Sequence, residues 1–288
     1  MYLKKSFTLI EILVVIVVIG ILSAFILVGM NSISNSANIA KNRAYINSIR
    51  NSLLINMISE WKLDGNVNDS WKGHNGTLVG APVSKSGSDC AIDGCYWLDG
   101  SDDYINLGNS SDFSFGTGNF TISYWSKQDS STPKPILSDG GHDDVDNSWY
   151  IEQYAGSMVT VFWYGGVSQN SSVWFGVSSL TMNKWNYFVV TRNVGELKLK
   201  VYLNGTLVKE FTSINVINIT DSADLWLGKD LRYATTFNGS VDDVRIFNEA
   251  FSALQAQQNY YSGLNKLLVN NNIDRFEYTN RLTEGLAK

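Results

Sequence analysis

Between Ile12 and Met30 the chain has no charged residue. That run is about the length a helix needs to cross a hydrocarbon core roughly 30 Å thick. Lys4 and Lys5 precede it, so the positive-inside rule places the short amino terminus in the cytoplasm and everything after Met30 outside. A cleavable secretory peptide would have a shorter apolar region ending in a small-residue site. Here Ser23, Ala24 and Phe25 are followed by more apolar sequence, so the expectation is a single-pass segment that stays. Glu11 is the exception. An ionisable group at the edge of a membrane segment is costly to keep and needs a partner, and none lies nearby in sequence.

Lys4-Lys5-Ser6-Phe7-Thr8-Leu9-Ile10-Glu11 resembles the leader and processing site of type IV prepilins and pseudopilins. The resemblance implies that a prepilin peptidase cuts between Ser6 and Phe7, that the new terminus is methylated, and that Glu11 becomes the fifth mature residue. It further implies that Glu11 pairs with the terminal ammonium of Phe7 on a neighbouring subunit and so sets the register of a polymer. Two features depart from the common pattern. Position 6 is Ser where the family usually has Gly, and no proline interrupts residues 7–30.

Residues 31–60 turn polar but keep a helical period. Ile39, Ile46, Ile49, Leu53 and Met57 form one apolar stripe with no Pro or Gly between 31 and 60. The spacing predicts that the membrane helix continues as an amphipathic half to residue 60. At 1.5 Å per residue some fifty residues would make a rod of about 75–80 Å.

From Trp61 the texture changes to short alternating runs separated by Gly, Asn, Asp and Ser. Phe120–Trp125, Trp185–Thr191 and Leu197–Leu203 alternate, and Asn204-Gly205 between two such runs is a strong hairpin signal. With 24 Gly, 12% aromatic and only 17% charged residues, the composition points to β-structure rather than a helical bundle. A net charge of -5 excludes a general nucleic-acid binder. The expectation is a mainly β protein, a two-sheet sandwich carried on one long N-terminal helix.

Several segments, taken in order, resemble the laminin-G-like branch of the concanavalin A-like lectin/glucanase superfamily. They are Trp61-Lys-Leu-Asp-Gly65, Asn68-Asp-Ser70, Asn75-Gly-Thr77, Tyr96–Ile105, Asn119–Trp125, Lys184–Val190, Val201–Gly205 and Asn238–Phe251. The resemblance implies a jelly-roll sandwich over residues 61–263 whose first and last strands lie close together. Residues 1–6 are then a leader, 7–30 the transmembrane part and 31–60 the amphipathic part of the helix. Residues 264–288 form a polar C-terminal tail with room for one short helix.

Superfamily members that hydrolyse glucans carry Glu-x-Asp-x-x-Glu on one strand, which sets two carboxylates on one face. That spacing is missing; Glu60, Glu152, Glu196, Glu210 and Glu249 are scattered, and no enzyme is expected. The resemblance implies a structural Ca²⁺ between an Asp-rich turn (Asp69, Asn75, Thr77) and the pair Asp242–Asp243, because hard cations want several oxygens. The alternative for that pair is strand capping or pairing with Arg245 without a metal. Asp99, Asp102 and Asp103 are expected to shape a turn. Trp149, Trp163 and Tyr164 supply aromatic surface for a sugar, and Asp143 and Asp144 lie in an acidic loop that either holds Ca²⁺ or a sugar hydroxyl or is simply solvated. Cys90 and Cys95 are close enough for a short disulfide in an oxidising compartment.

The expected function is that of a pilin-like filament subunit, held in the cytoplasmic membrane before assembly and displayed at the cell surface or in a pilus afterwards. Its partners would be other pilin subunits, the prepilin peptidase, the membrane, and a glycan or surface protein bound by the sandwich. The alternatives are a pseudopilin of a type II secretion or DNA-uptake system, or a simple membrane-anchored binding domain.

Overall fold

The computed structural model describes residues 9–10, 13–19, 53–130, 134–139, 149–154, 158–163, 171–176, 182–214, 216, 218–219, 223–230 and 236–286. The chain divides into two units, Met1–Ser52 and Leu53–Lys288. In the first unit, residues 13–19 are helical. Leu13, Ile16 and Ile19 are each more than half exposed, so this stretch has no protein core of its own. Among the described residues no helix is both long and apolar enough to cross a membrane. Ser6, Phe7, Glu11 and most of the expected rod lie outside the described residues.

The second unit is the sandwich. Its strands are β1 (Met57–Trp61), β2 (Thr77–Val79), β3 (Val83–Ser86), β4 (Gly94–Asp99), β5 (Tyr104–Asn106), β6 (Phe120–Gln128), β7 (Lys134–Ser138) and β8 (Trp149–Tyr154). They continue with β9 (Met158–Trp163), β10 (Ser171–Gly176), β11 (Asn186–Asn193), β12 (Lys198–Leu203), β13 (Thr206–Thr212), β14 (Trp226–Leu227) and β15 (Asn238–Phe247). The first sheet runs β13-β12-β11-β6-β15-β4-β3, with β1 joined to β15, and the second runs β10-β9-β8-β7-β14-β5-β2. Ile122, Tyr124, Phe188 and Val190 from the first sheet meet Ile105, Leu137, Ile151 and Leu227 from the second in one buried core. The jelly-roll expectation therefore holds, with first and last strands paired antiparallel from Trp61↔Val244 to Met57↔Phe247.

Local sequence accounts for much of this. Asn204 and Gly205 adopt φ of 50° and 76°, the left-handed pair that a two-residue type I′ hairpin between β12 and β13 requires. Strand β15 is long and shares one edge between β4, along Asn238–Val241, and β1, along Val244–Phe247. Asp242 and Asp243 fall at the seam, where the register against β6 shifts and Asp243 takes φ 50°.

Two boundaries differ from the sequence expectation. The amphipathic helix does not reach residue 60, because Met57–Trp61 is strand. Met57, Ile58 and Trp61 are buried, and the free edge of β15 offers them a ladder, so tertiary pairing overrides a stripe whose last members suit either period. At the other end, helix α1 (Ala253–Val269) crosses the expected limit of the sandwich at residue 263, and α2 (Arg275–Leu286) follows it. A capping box starts α1, with Ser252 Oγ accepting from the Gln255 N–H and the Gln255 side chain returning to the Ser252 N–H. Ala256, Tyr260, Gly263, Leu264 and Leu267 are its buried face, the spacing of one helical side. Tyr260 stacks against Trp125 of β6 and Tyr187 of β11, so α1 covers the solvent side of the first sheet. Gly263 is required there, since a Cβ would come within 2.4 Å of the Trp125 ring.

Candidate functional site

The five residues expected around a cation are placed in two separate arrangements. Asp69 lies on the turn after β1, and both its carboxylate oxygens are taken. Oδ1 accepts the N–H groups of Glu60 and Trp71, at 2.9 Å each. Oδ2 accepts those of Lys72 and His74, at 3.1 and 3.0 Å. Burial alone would raise its pKa, but these four donors outweigh it and hold Asp69 below the usual carboxylate value. The Asn75 side-chain oxygen accepts from the Asp69 N–H, and Thr77 is exposed on β2. This turn is wound around a carboxylate, with no lone pairs left over for Ca²⁺.

Asp242 and Asp243 sit elsewhere. Asp243 binds Arg245 Nη2 at 2.9 Å, and Glu60 binds Arg245 Nε at 2.8 Å. Burial pushes Asp243 up to about 6 even though Arg245 opposes the shift. Asp242 is fully buried; one oxygen accepts the Ile92 N–H at 2.8 Å and the other has no partner. Burial, with Asp243 and Asp64 adding repulsion, moves Asp242 well above the usual range, so it holds a proton far more readily than a free aspartate does. Among the described residues the group of three metal-type ligands within 4.8 Å of one another is Asp99, Asp102 and Asp103. Of these, Asp103 accepts the N–H groups of Ala81 and Asp99, at 2.6 and 3.1 Å, so it staples a turn. The expected calcium cage is not assembled, and the residues do not fit it as a set.

Ile92 belongs to the loop closed by the Cys90–Cys95 disulfide. The carbonyl of Cys90 accepts from the Asn272 side chain just after α1. The disulfide loop thus ties the end of α1 to the buried seam of β15.

His74 forms a third constellation. Its Nδ1 lies 2.7 Å from Ser59 Oγ and 3.2 Å from Asp69 Oδ2, while Nε2 lies 3.2 Å from Ser110 Oγ. The order Ser–His–Asp invites comparison with a nucleophile triad. Ser110 Oγ, however, already accepts the Asp112 N–H, Ser59 shares Nδ1, and the Asp69 oxygens are filled. The cluster pins one loop to another.

The expected aromatic platform is only partly placed. Trp149 is 3% exposed and packs on Phe115 with ring centroids 5.7 Å apart, so it belongs to the core and offers no face to a ligand. Trp163 pairs in register with Trp149. Its side chain, with Tyr164, Asp143 and Asp144, lies outside the described residues.

The solvent side of the second sheet displays a different set. Thr77, Asn106, Trp226, Ser138 and Tyr150 are successive register partners across five strands, and directly opposed residues share a face. Ser138 and Tyr150 are buried, while Asn106, Trp226 and Tyr104 are half-buried. The accessible end of this face is therefore β14 with β5. Trp226 and Tyr104 have ring centroids 5.7 Å apart, and Lys229 Nζ lies 4.3 Å from the Tyr104 centroid and 5.0 Å from that of Trp226. Asn106 Nδ2 donates to Asp224 Oδ2 at 2.8 Å. An aromatic floor bordered by an amide, a carboxylate and an ammonium is the chemistry a saccharide needs: C–H groups against π surface and hydroxyls against polar groups. The sequence did hold a signal for this. In Leu225-Trp226-Leu227 both leucines are fully buried, and alternation turns the Trp between them outward.

The family profile described as the concanavalin A-like lectin/glucanases superfamily matches residues 99–257, and that of the prokaryotic N-terminal methylation motif matches residues 1–27. A comparison with curated proteins yields no match. Among solved structures, the binding domain of Paraclostridial Mosquitocidal Protein 1 superposes with a TM-score of 0.60 at 14% identity, over 74% of this chain and 53% of that one. Domain 4 of AbnA, an extracellular GH43 arabinanase from Geobacillus stearothermophilus, solved with arabinotriose, gives 0.54 at 19% identity over 70% and 97%. The botulinum neurotoxin serotype D binding domain gives 0.58 at 18% identity over 75% and 53%. The chain spans about half the length of the mosquitocidal-protein and neurotoxin binding domains, and at these identities the likeness is one of fold. By fold and by matched family, the chain belongs to the concanavalin A-like lectin/glucanases superfamily and carries the prokaryotic N-terminal methylation motif ahead of that domain.

Proposed function

We propose that this protein is a type IV pilin-like filament subunit whose sandwich binds glycan at the cell surface. The observation that carries the reading is the pairing of a methylation motif over residues 1–27 with a lectin-type domain over residues 99–257 in one chain. The apolar N-terminal segment holds the precursor in the cytoplasmic membrane. A prepilin peptidase cuts between Ser6 and Phe7, and Glu11 pairs with the freed terminus of a neighbouring subunit. A charge at the edge of an apolar segment is costly alone and favourable when paired, so polymerisation is favoured only in the register that joins them.

The working surface is the Tyr104–Trp226 end of the second sheet. Arabinotriose bound to the arabinanase domain supports a saccharide on this fold. The role is one of binding rather than catalysis. Glu60 is engaged with Arg245, and Glu196 and Glu210 surround Lys198 and Lys200, which leaves them no free pairing across a glycosidic bond. Two readouts on the native host test the proposal. Glu11→Ala leaves the protein in the membrane and removes it from sheared filaments, and Trp226→Ala leaves it in filaments but weakens attachment to a glycan-coated surface. Normal filament incorporation of Glu11→Ala contradicts the assembly half, and unchanged attachment of Trp226→Ala contradicts the binding half.

A further inference from the structure

Resting on the glycan reading above, we infer that the saccharide taken by the second sheet carries a carboxylate, and that Lys229 reads it. Among the described lysines of the sandwich, half are held by acids: Lys72 by Asp112, Lys184 by Glu277, Lys198 and Lys200 by Glu196 and Glu210, and Lys266 by Asp93, while Lys85, Lys127 and Lys209 each stand over a single ring. No described carboxylate lies within ion-pair range of Lys229. Its Nζ stands instead over two aromatic rings of one open face, 4.3 Å from the Tyr104 centroid and 5.0 Å from that of Trp226. The nearest acids in sequence are engaged elsewhere, Asp224 with Asn106 and Asp230 buried with interactions of its own.

Geometry assigns the parts. The ammonium stands over both rings but closer to the Tyr104 centroid, at 4.3 Å, than to that of Trp226, at 5.0 Å, so Trp226 is the less covered of the two for stacking. A sugar ring in van der Waals contact rides roughly 3.5–4 Å above an indole. The Nζ, over the Trp226 ring at 5.0 Å from its centroid, therefore borders the layer such a ring would occupy. A group projecting from the edge of a stacked pyranose, as the C6 carboxylate of a uronate does, meets the ammonium there. The Asn106–Asp224 pair supplies a donor and an acceptor for ring hydroxyls, since Asn106 is the register partner of Trp226. Charge argues the same way. In a chain of net charge -5, a cation placed on aromatic surface with no described carboxylate in ion-pair range selects for an anion by removing a standing desolvation cost when it binds.

The test uses the full chain in detergent against polygalacturonate and polysialic acid, their methyl esters, and neutral arabinan and galactan. The expected result is binding of at least one acidic polymer, about tenfold weaker for its methyl ester and equally weakened by Lys229→Met, with affinity falling as salt rises. Trp226→Ala should lose binding of acid and ester alike. Binding of neutral polymers or methyl esters as tight as that of the acids, or unaffected by Lys229→Met but abolished by Trp226→Ala, overturns the carboxylate inference and leaves the glycan reading standing. Binding that survives Trp226→Ala, or no binding of any polymer, overturns both.

Discussion

The two sheets of the sandwich share one core and use their outer faces in opposite ways. On the first sheet, Trp125 and Tyr187 are buried beneath Tyr260 and Gly263 of α1, and the seam at Asp242 is closed by the disulfide loop. On the second, Trp226 and Tyr104 remain half-buried under Lys229, which has no acid in ion-pair range among the described residues. The same residue types, large aromatics on a strand, are thus structural on one side and available on the other. At these two places the difference is cover: α1 lies over Trp125 and Tyr187, and among the described residues no helix lies over Trp226 and Tyr104. Aromatic content by itself does not locate a binding face; the element that covers it does.

This contrast predicts a gradient of stability effects. Gly263→Val on the covered face forces atoms into the Trp125 ring, and overpacking of this kind costs about 3 kcal/mol. A chemical-denaturation midpoint unchanged by this variant would mean that α1 does not hold the first sheet. Asp69→Ala strips four backbone N–H groups beside β1 of their acceptor and should cost about 2 kcal/mol, by the same amount in EDTA and in excess Ca²⁺. A loss seen only in Ca²⁺ would restore a metal to that turn.

Asp242→Asn sharpens the picture of the seam. Because burial raises the pKa of Asp242 in the folded state, the folded protein binds more protons than the unfolded one above the ordinary aspartate value of about 3.9. Its contribution is fully present below that value and is lost as pH rises toward the folded-state pKa. The variant should therefore match the wild type at low pH and overtake it by about 1 kcal/mol at pH 8 in EDTA. A variant less stable at every pH would show that the Asp242 charge is compensated. Smallest in stability is Trp226→Ala on the open face, with a shift under about 1 kcal/mol alongside loss of saccharide binding. A large unfolding effect there would make Trp226 a core residue and erase the contrast.

Much of the sandwich was legible because its signals are local. Asn204-Gly205 is a turn by the chemistry of two residues, and Cys90 and Cys95 are close enough to close a loop whatever surrounds them. Met57–Trp61 was not, since its apolar residues satisfy a helical stripe, and only the open edge of β15, 180-odd positions away (Trp61↔Val244), makes them a strand. Helix α1 was missed, its start being read as sandwich, although Ser252 and Gln255 carry a capping signal; the face that fixes it belongs to Trp125 and Tyr187. The site was harder still. An Asp in a polar turn serves a cation or a ring of N–H donors equally well, and only the direction of the backbone at Glu60, Trp71, Lys72 and His74 decides for Asp69. Alternation likewise says that one of Trp149 and Tyr150 faces inward without saying which side is covered.

All of this matters to function only if the sandwich is carried on a processed pilin-type terminus. Mass spectrometry of the mature protein from its native host measures that directly. The account predicts a chain beginning at N-methylated Phe7. A chain retaining Met1 and the residues through Ser6 would contradict it and leave a membrane-anchored lectin-like domain in its place.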